Sequence, residues 1–267
     1  AEDLPAGPVV SPKNGLQFNS EQDNFSLRLG FRVQSRFTYE DYDEDSTSED
    51  LADFQVRRLR LRLDGNAFQP NLKYNLQFAF TRGDLDYDTV NYPNILRDAN
   101  ISWEWSKNQF LILGLRKLPG NRQRLVSSGA QEFVDRALTN STFNIDRDNG
   151  IQSRHQWGES QIYRLQLALS NGEGRGQNNR GSGLSSTARV EWLPLGAFRE
   201  DGDFIEGDVL FEPESRVSVG VTYNKNRDTF RLGGQIGAIM ENNARRDLES
   251  YLADFLWKRQ GYSLSVE

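Results

Sequence analysis

Apolar and polar residues alternate with period two along this chain, first and longest over residues 25–40, FSLRLGFRVQSRFTYE. Phe25, Leu27, Leu29, Phe31, Val33, Phe37 and Tyr39 take the odd positions, with Ser35 the exception. Polar residues or glycine take every even one, including Arg28, Arg32, Arg36 and Glu40. Successive side chains of a strand point to opposite faces, so the pattern predicts a strand with one apolar and one polar face. The run is longer than the roughly 3–10 residues usual in globular sheets. The alternation recurs in QVRRLRLRLDG, where Leu59, Leu61 and Leu63 oppose Arg58, Arg60 and Arg62, and in LKYNLQFAF, where Leu72, Tyr74, Leu76 and Phe78 oppose Lys73, Asn75 and Gln77. It recurs again in DANISWEW, with Ile101, Trp103 and Trp105 on one side, and in YRLQLAL, with Leu165, Leu167 and Leu169 on one side. Weaker copies at 111–115, 150–157, 187–192, 216–224, 251–258 and 262–267 bring the expectation to about eleven strands.

The connections alternate as well. Short turns are expected at 69–71, 107–108, 158–160 and 260–261, and long polar loops at 41–53, 83–93, 119–148, 171–183 and 227–247. Short turns at one end and long loops at the other are the layout of an outer-membrane β-barrel, with short periplasmic turns and long extracellular loops. One connection, 193–215, is long and acid-rich where a short turn belongs. No apolar run approaches the roughly 20 residues of a membrane helix, a test that barrels pass unnoticed because their strands average to polar hydropathy. The mean hydropathy of −0.70 fits that averaging. A soluble antiparallel sandwich is the rival fold. The aromatics near strand ends (Phe25, Phe37, Tyr39, Trp103, Trp105, Trp157, Trp192, Trp257) form the girdle expected of a membrane barrel and decide against it. The reading is an all-β protein, an antiparallel transmembrane β-barrel over residues 25–267, preceded by a periplasmic N-terminal segment over 1–24.

Three segments resemble one family. FQVRRLRLRLDG (54–65), the stretch 113–152 with Gly114 to Lys117, Ser127-Ser128, Phe133 to Arg136 and Arg147-Asp148-Asn149-Gly150, and ARVEWLPLG (188–196) are similar, in order and spacing, to the phosphate-selective porin O and P family. The resemblance implies a 16-stranded, homotrimeric channel that passes small anions across a bacterial outer membrane. Eleven strands are fewer than such a barrel needs, so the sequence is expected to be a piece of a longer protein, incomplete at its C-terminal end.

The interior of such a barrel is where chemistry would sit. Basic residues are dominated by arginine, 26 against six Lys. By parity Arg28, Arg32, Arg36, Arg58, Arg60 and Arg62 line one face of the first strands, with Lys73, Arg154, Arg164 and Arg189 on later ones. Same-face neighbours stand about 7 Å apart, so these rows would form a ladder of permanently charged, forked donors for passing anions. The same parity turns Glu40, Asp64, Asp98, Glu104, Glu191 and Asp254 inward, and these acids would neutralise the ladder and leave a general diffusion pore. Both outcomes stay open, and specificity for phosphate is a narrower claim than either. The third long loop is expected to fold inward as a short amphipathic helix within 121–138, offering Arg122, Arg124, Arg136, Ser127 and Ser128 at a constriction.

Other features narrow the function. With no Cys and one His, there is no thiolate, no metal-ligand pair and no credible catalytic triad, so no cofactor, no metal and no enzyme activity are expected. His155 falls on the outward parity of its strand. The acidic run 41–45 with Glu49-Asp50 reads as an outer loop able to meet lipopolysaccharide through divalent cations, or simply as a solvated loop. The net charge of −6 argues against nucleic acid. The expected partners are small anions or hydrophilic solutes and outer-membrane lipid. A sealed barrel that anchors an envelope assembly, with 193–215 as a docking surface for an envelope partner protein, is the rival from another class.

Overall fold

The computed structural model describes the chain except residues 1–6, 12–14, 21, 23, 43–49, 86–93 and 177–182. Thirteen strands form one sheet in which every strand pairs antiparallel with its neighbours in sequence. They are β1 (Gly7–Ser11), β2 (Gly15–Asn19), β3 (Ser26–Glu40), β4 (Leu51–Ala67), β5 (Gln69–Ala79), β6 (Leu96–Ser106), β7 (Gln109–Lys117), β8 (Arg147–Trp157), β9 (Ile162–Ser170), β10 (Ser185–Leu193), β11 (Arg216–Thr229), β12 (Arg246–Arg259) and β13 (Tyr262–Val266). All eleven strands expected from the alternation are present. Two more, β1 and β2, lie inside the segment expected to precede the sheet. At five residues each they are too short for period two to stand out. Among the described residues no helix is long and apolar enough to cross a membrane. Among the described residues the pairing runs from β1 to β13 without a β13–β1 ladder.

The outward face carries the apolar parity. Phe31, Val33, Ile101, Val190 and Val221 are exposed there, between two aromatic rows. At the short-turn end Trp157 stacks on Tyr163 at 6.1 Å, and Gln161 Oε1 accepts from both Tyr163 Oη and Trp192 Nε1. At the long-loop end Phe37 meets Phe54 at 4.5 Å and Tyr223 meets Tyr251 at 5.0 Å. Apolar bodies with polar tips at both ends of a strand layer suit the two interfaces of a bilayer. His155 lies with this outward set, edge-on to Trp105 at 5.7 Å.

Two local expectations are corrected. The turn between β4 and β5 is made at Phe68, whose φ is +67°, and not at 69–71. Pro70 then stands at the start of β5, where a missing N–H is tolerated. The segment 121–138 is not one helix: it holds α1 (Arg122–Leu125), and a second single turn, α2 (Leu138–Thr142), starts where it ends. Between them the chain runs in turns and bends held by tertiary bonds to Ser128 and to the Val134 carbonyl, and the expected apolar stripe never forms, since Phe133 is 75% and Leu138 89% exposed. Residues 193–215 fold in part against the sheet, while Leu195, Val209 and Phe211 stay exposed. Phe198 packs with Ile162, Leu193 and Leu256, and Lys258 Nζ on β12 donates to the carbonyls of Gly202, Ile205 and Gly207, drawing the connection against the inner face. Of the acidic first loop, residues 43–49 lie outside the described residues.

Candidate functional site

The inner face is polar because it carries the second parity, and the third long loop decides what becomes of it. Arg122 of α1 bonds Asp254 on β12, while Ser128, six residues on, takes bonds from Arg32 on β3 and Arg60 on β4. Along the sheet β3 and β12 are nine spacings apart, roughly 43 Å, whereas six extended residues span at most about 21 Å. The sheet therefore curls around the loop, which crosses its concave side as an inward fold.

On the β3–β4 wall the loop is clamped by arginine. Arg32 and Arg60 stand directly opposite each other in the ladder, a repulsive cross-strand pair. Ser128 Oγ relieves it by accepting from both at 2.7 Å, and Asp84 takes Arg60 through two bonds of 2.6 and 2.7 Å. Burial pushes the Asp84 carboxyl up, but the Arg60 bond and the charges of Arg97, Arg60 and Arg58 bring it down to about 2. Asp135 collects Arg36 at 2.6 Å, Arg57 at 2.9 Å and Arg58 at 3.2 Å. Adjacent residues 57 and 58 reach one carboxylate because the register shifts there: Gln34 pairs with Arg58 and Ser35 with Val56, leaving Arg57 as the extra residue of a bulge.

On the β9–β12 wall the interior is packed solid. Arg189 is fully buried and bonds Glu191 at 2.8 Å, Asp254 at 2.7 Å, Thr222 Oγ1 and the Gly120 carbonyl at 3.0 Å. Arg122 adds Glu191 at 3.1 Å, Asp254 at 2.6 Å and Ser218 Oγ at 2.7 Å. Arg164 pairs with Asp203, which the 193–215 connection brings inward, and reaches Glu191 at 3.6 Å. Glu206 of that connection is bonded to Ala130 and Glu132 of the third loop, so the two segments meet inside the sheet.

What is left is a cavity of about 720 Å³ against β3–β9. Its lining holds seven cations, Arg28, Arg62, Lys73, Arg116, Lys117, Arg147 and Arg154, and two carboxylates, Asp64 and Asp98. Neutral amides from Asn75, Gln77, Asn100, Gln152 and Gln166 fill the wall between them. Asp64 pairs with Arg28 at 2.6 Å and Arg62 at 2.9 Å, Asp98 pairs with Arg147 at 3.0 Å, and Lys73 reaches Glu104 at 3.2 Å. Lys117 Nζ donates to the carbonyls of Leu125 and Val126. Among the described residues Arg116 and Arg154 make neither a hydrogen bond nor an ion pair, and both line the cavity.

Of the residues singled out in the sequence, Arg28, Arg62, Lys73, Arg154 and Ser127 line this cavity. Arg32, Arg36, Arg58 and Arg60 hold the third loop instead, and Arg164 and Arg189 belong to the packed wall. Ser128 is the buried anchor of two arginines, Arg124 is bound to Asp146, and Arg136 donates to the Gln123 and Val126 carbonyls at 2.9 Å. Burial and the neighbouring Arg124 charge lower the Arg136 guanidinium to about 9. Arg116 was missed, although it shares parity with Ile112 and Gly114 on β7 and so carried a signal. Asp84, Asp135, Asp146 and Asp203 come from loops, where no periodicity announces which way a side chain turns.

No curated protein matches the chain. The family model described as phosphate-selective porin O and P matches residues 27–197, which takes in β3 to β10 and the whole third loop. The chain thus belongs to the phosphate-selective porin O and P family, and is an outer-membrane porin built on an antiparallel β-barrel.

Proposed function

We propose that this porin passes small hydrophilic solutes by diffusion through the cavity beside β3–β9 and prefers anions. The observation that carries the reading is the charge of the lining, seven cations against two carboxylates, with Arg116 and Arg154 unengaged among the described residues. At about 5 Å in water one unit charge contributes roughly 0.8 kcal/mol, so a few uncompensated cations favour anions several-fold without excluding cations. The preference is therefore moderate, and phosphate is one anion among those admitted. The N-terminus and the short turns face the periplasm and the long loops face outward. The working unit is a homotrimer.

The test is the reversal potential of the purified protein in a planar bilayer under a KCl gradient. Anion selectivity is expected. Arg116→Gln combined with Arg154→Gln is expected to lower the anion-to-cation permeability ratio at least three-fold. A wild-type ratio near one, or a ratio unmoved in the folded double variant, overturns the reading. Absence of any current points to a sealed barrel, for which the packing of the β9–β12 half is the structural argument.

A further inference from the structure

Between its charged groups the large cavity carries a belt of neutral amides, and much of that belt is unengaged. Gln77 on β5 and Gln166 on β9 are half-buried, line the cavity and make no side-chain hydrogen bond among the described residues. Three more amides use one end and leave the other open. Asn75 Oδ1 accepts from Arg62 at 3.0 Å, Asn100 Nδ2 donates to the Leu115 carbonyl at 3.1 Å, and Gln152 Nε2 donates to the Lys117 carbonyl at 3.2 Å. The open atoms are therefore a donor on Asn75 and acceptors on Asn100 and Gln152. The ladder gathers these groups into two sets. Asn75 stands directly opposite Asn100, with Gln77 about 7 Å along the same face. Gln166 stands directly opposite Arg154, and Gln152 is the next inward residue on the strand of Arg154. Asn100, Gly114 and Gly150 lie in one row across the ladder, so no side chain of β7 or β8 separates the two sets there.

We propose that the solute this cavity fits is a polyhydroxylated anion, a sugar acid or polyol phosphate, with its charge on Arg154 and its hydroxyls on the amide belt. Arg154 takes the charge because it has no partner, whereas Arg62 is held by Asp64 and Asn75. A guanidinium only donates, so it serves the charged end and nothing else. An amide donates and accepts, as a hydroxyl does, and the two match atom for atom. The open acceptors on Asn100 and Gln152 serve hydroxyl protons, which a simple carboxylate lacks. Hydroxyls replace water of similar hydrogen-bonding strength, so the preference is modest and the solute leaves as readily as it enters. The proposal rests on the anion-preferring reading above and adds the chemical class of the anion and the groups that read it.

The experiment compares block of the chloride current in the full-length protein by two pairs of anions matched in carbon number, gluconate against hexanoate and glycerol phosphate against propyl phosphate. The hydroxylated member of each pair is expected to block at a concentration at least three-fold lower. Gln77→Leu with Gln166→Leu is expected to bring the members of each pair level. Gln166→Met, which keeps the length of the side chain and loses the amide, serves if the double variant does not fold, and is expected to lower the gluconate advantage at least two-fold. An anion-selective channel that treats the members of either pair alike, or in which the advantage survives the leucine and methionine changes, overturns the polyhydroxylated class alone. A channel without anion selectivity overturns the underlying reading instead.

Discussion

Arg189 and Arg154 are the same chemical group on the same face of one sheet, two strands apart, and they live under opposite conditions. Arg189 is fully buried with two carboxylates, a hydroxyl and a carbonyl around its guanidinium. Arg154 faces an open cavity with no hydrogen-bond or ion-pair partner among the described residues. The sheet does not make this difference, because both positions obey the same alternation. Loops make it: the third loop and the 193–215 connection settle over β9–β12, the third loop is also clamped to β3 and β4, and the cavity is what they leave uncovered. An inward arginine in this barrel is therefore a strut where a loop covers it and a charge offered to solutes where none does.

The largest expected effect contrasts those two positions in stability. Removing one partner of a buried ion pair leaves uncompensated charge and costs about 3–5 kcal/mol. Arg189→Met should fall at the low end, near 3 kcal/mol, because Arg122 still faces Glu191 and Asp254. Arg154→Met should stay within about 0.5 kcal/mol of the parent, as expected where no partner is lost. Urea unfolding of the refolded barrel in detergent measures both. Equal losses at the two positions would erase the distinction between the walls.

A smaller effect is expected at the clamp. Asp135 gathers Arg36, Arg57 and Arg58 on the third loop, and burial, which raises its carboxyl, is outweighed by the Arg57 hydrogen bond and the surrounding guanidinium charges, which hold it below the usual range. Its partly exposed position limits the stability at stake to about 1 kcal/mol or less for Asp135→Asn. The channel should show more than the melt does: a loosened loop should raise open-channel current noise while the reversal potential stays near that of the parent. A quiet channel with altered selectivity would mean that Arg36, Arg57 and Arg58 act on solutes directly.

These two walls also show how far the sequence reaches. Alternation found every strand from β3 to β13, and parity placed Asp64, Asp98, Glu191 and Asp254 inside, where each now holds an arginine. Parity could not show that Arg57 turns inward, because the bulge that turns it depends on register with β3, a long-range property. Nor could it show which arginines would be covered. Asp84, Asp135 and Asp203 decide that, and they stand in irregular segments whose direction is set by the contacts they make. Arg116 was within reach, since the run Ile112, Gly114, Arg116 is as regular as any other on the inner face.

A third effect, between those two in free energy, concerns acid. Asp84 holds Arg60 and Arg97 and is displaced from 3.8 to about 2 in the folded protein. A lowered carboxyl stabilises the fold fully above its unfolded value and loses that contribution as pH falls through the folded one. Nearly two pH units correspond to about 2 kcal/mol, present above pH 4 and lost progressively down to pH 2. Ser128 remains on Arg32 when Asp84 is protonated, so the third loop should loosen on the β4 side first rather than detach. Open-channel noise is expected to rise between pH 4 and pH 2 in the parent. In Asp84→Asn the noise should already be high at pH 7, and its further rise on acidification should be the smaller of the two. If parent and variant respond to acid alike, the loop is held from the β9–β12 wall alone, and Arg60 joins Arg154 among the arginines free to meet solutes.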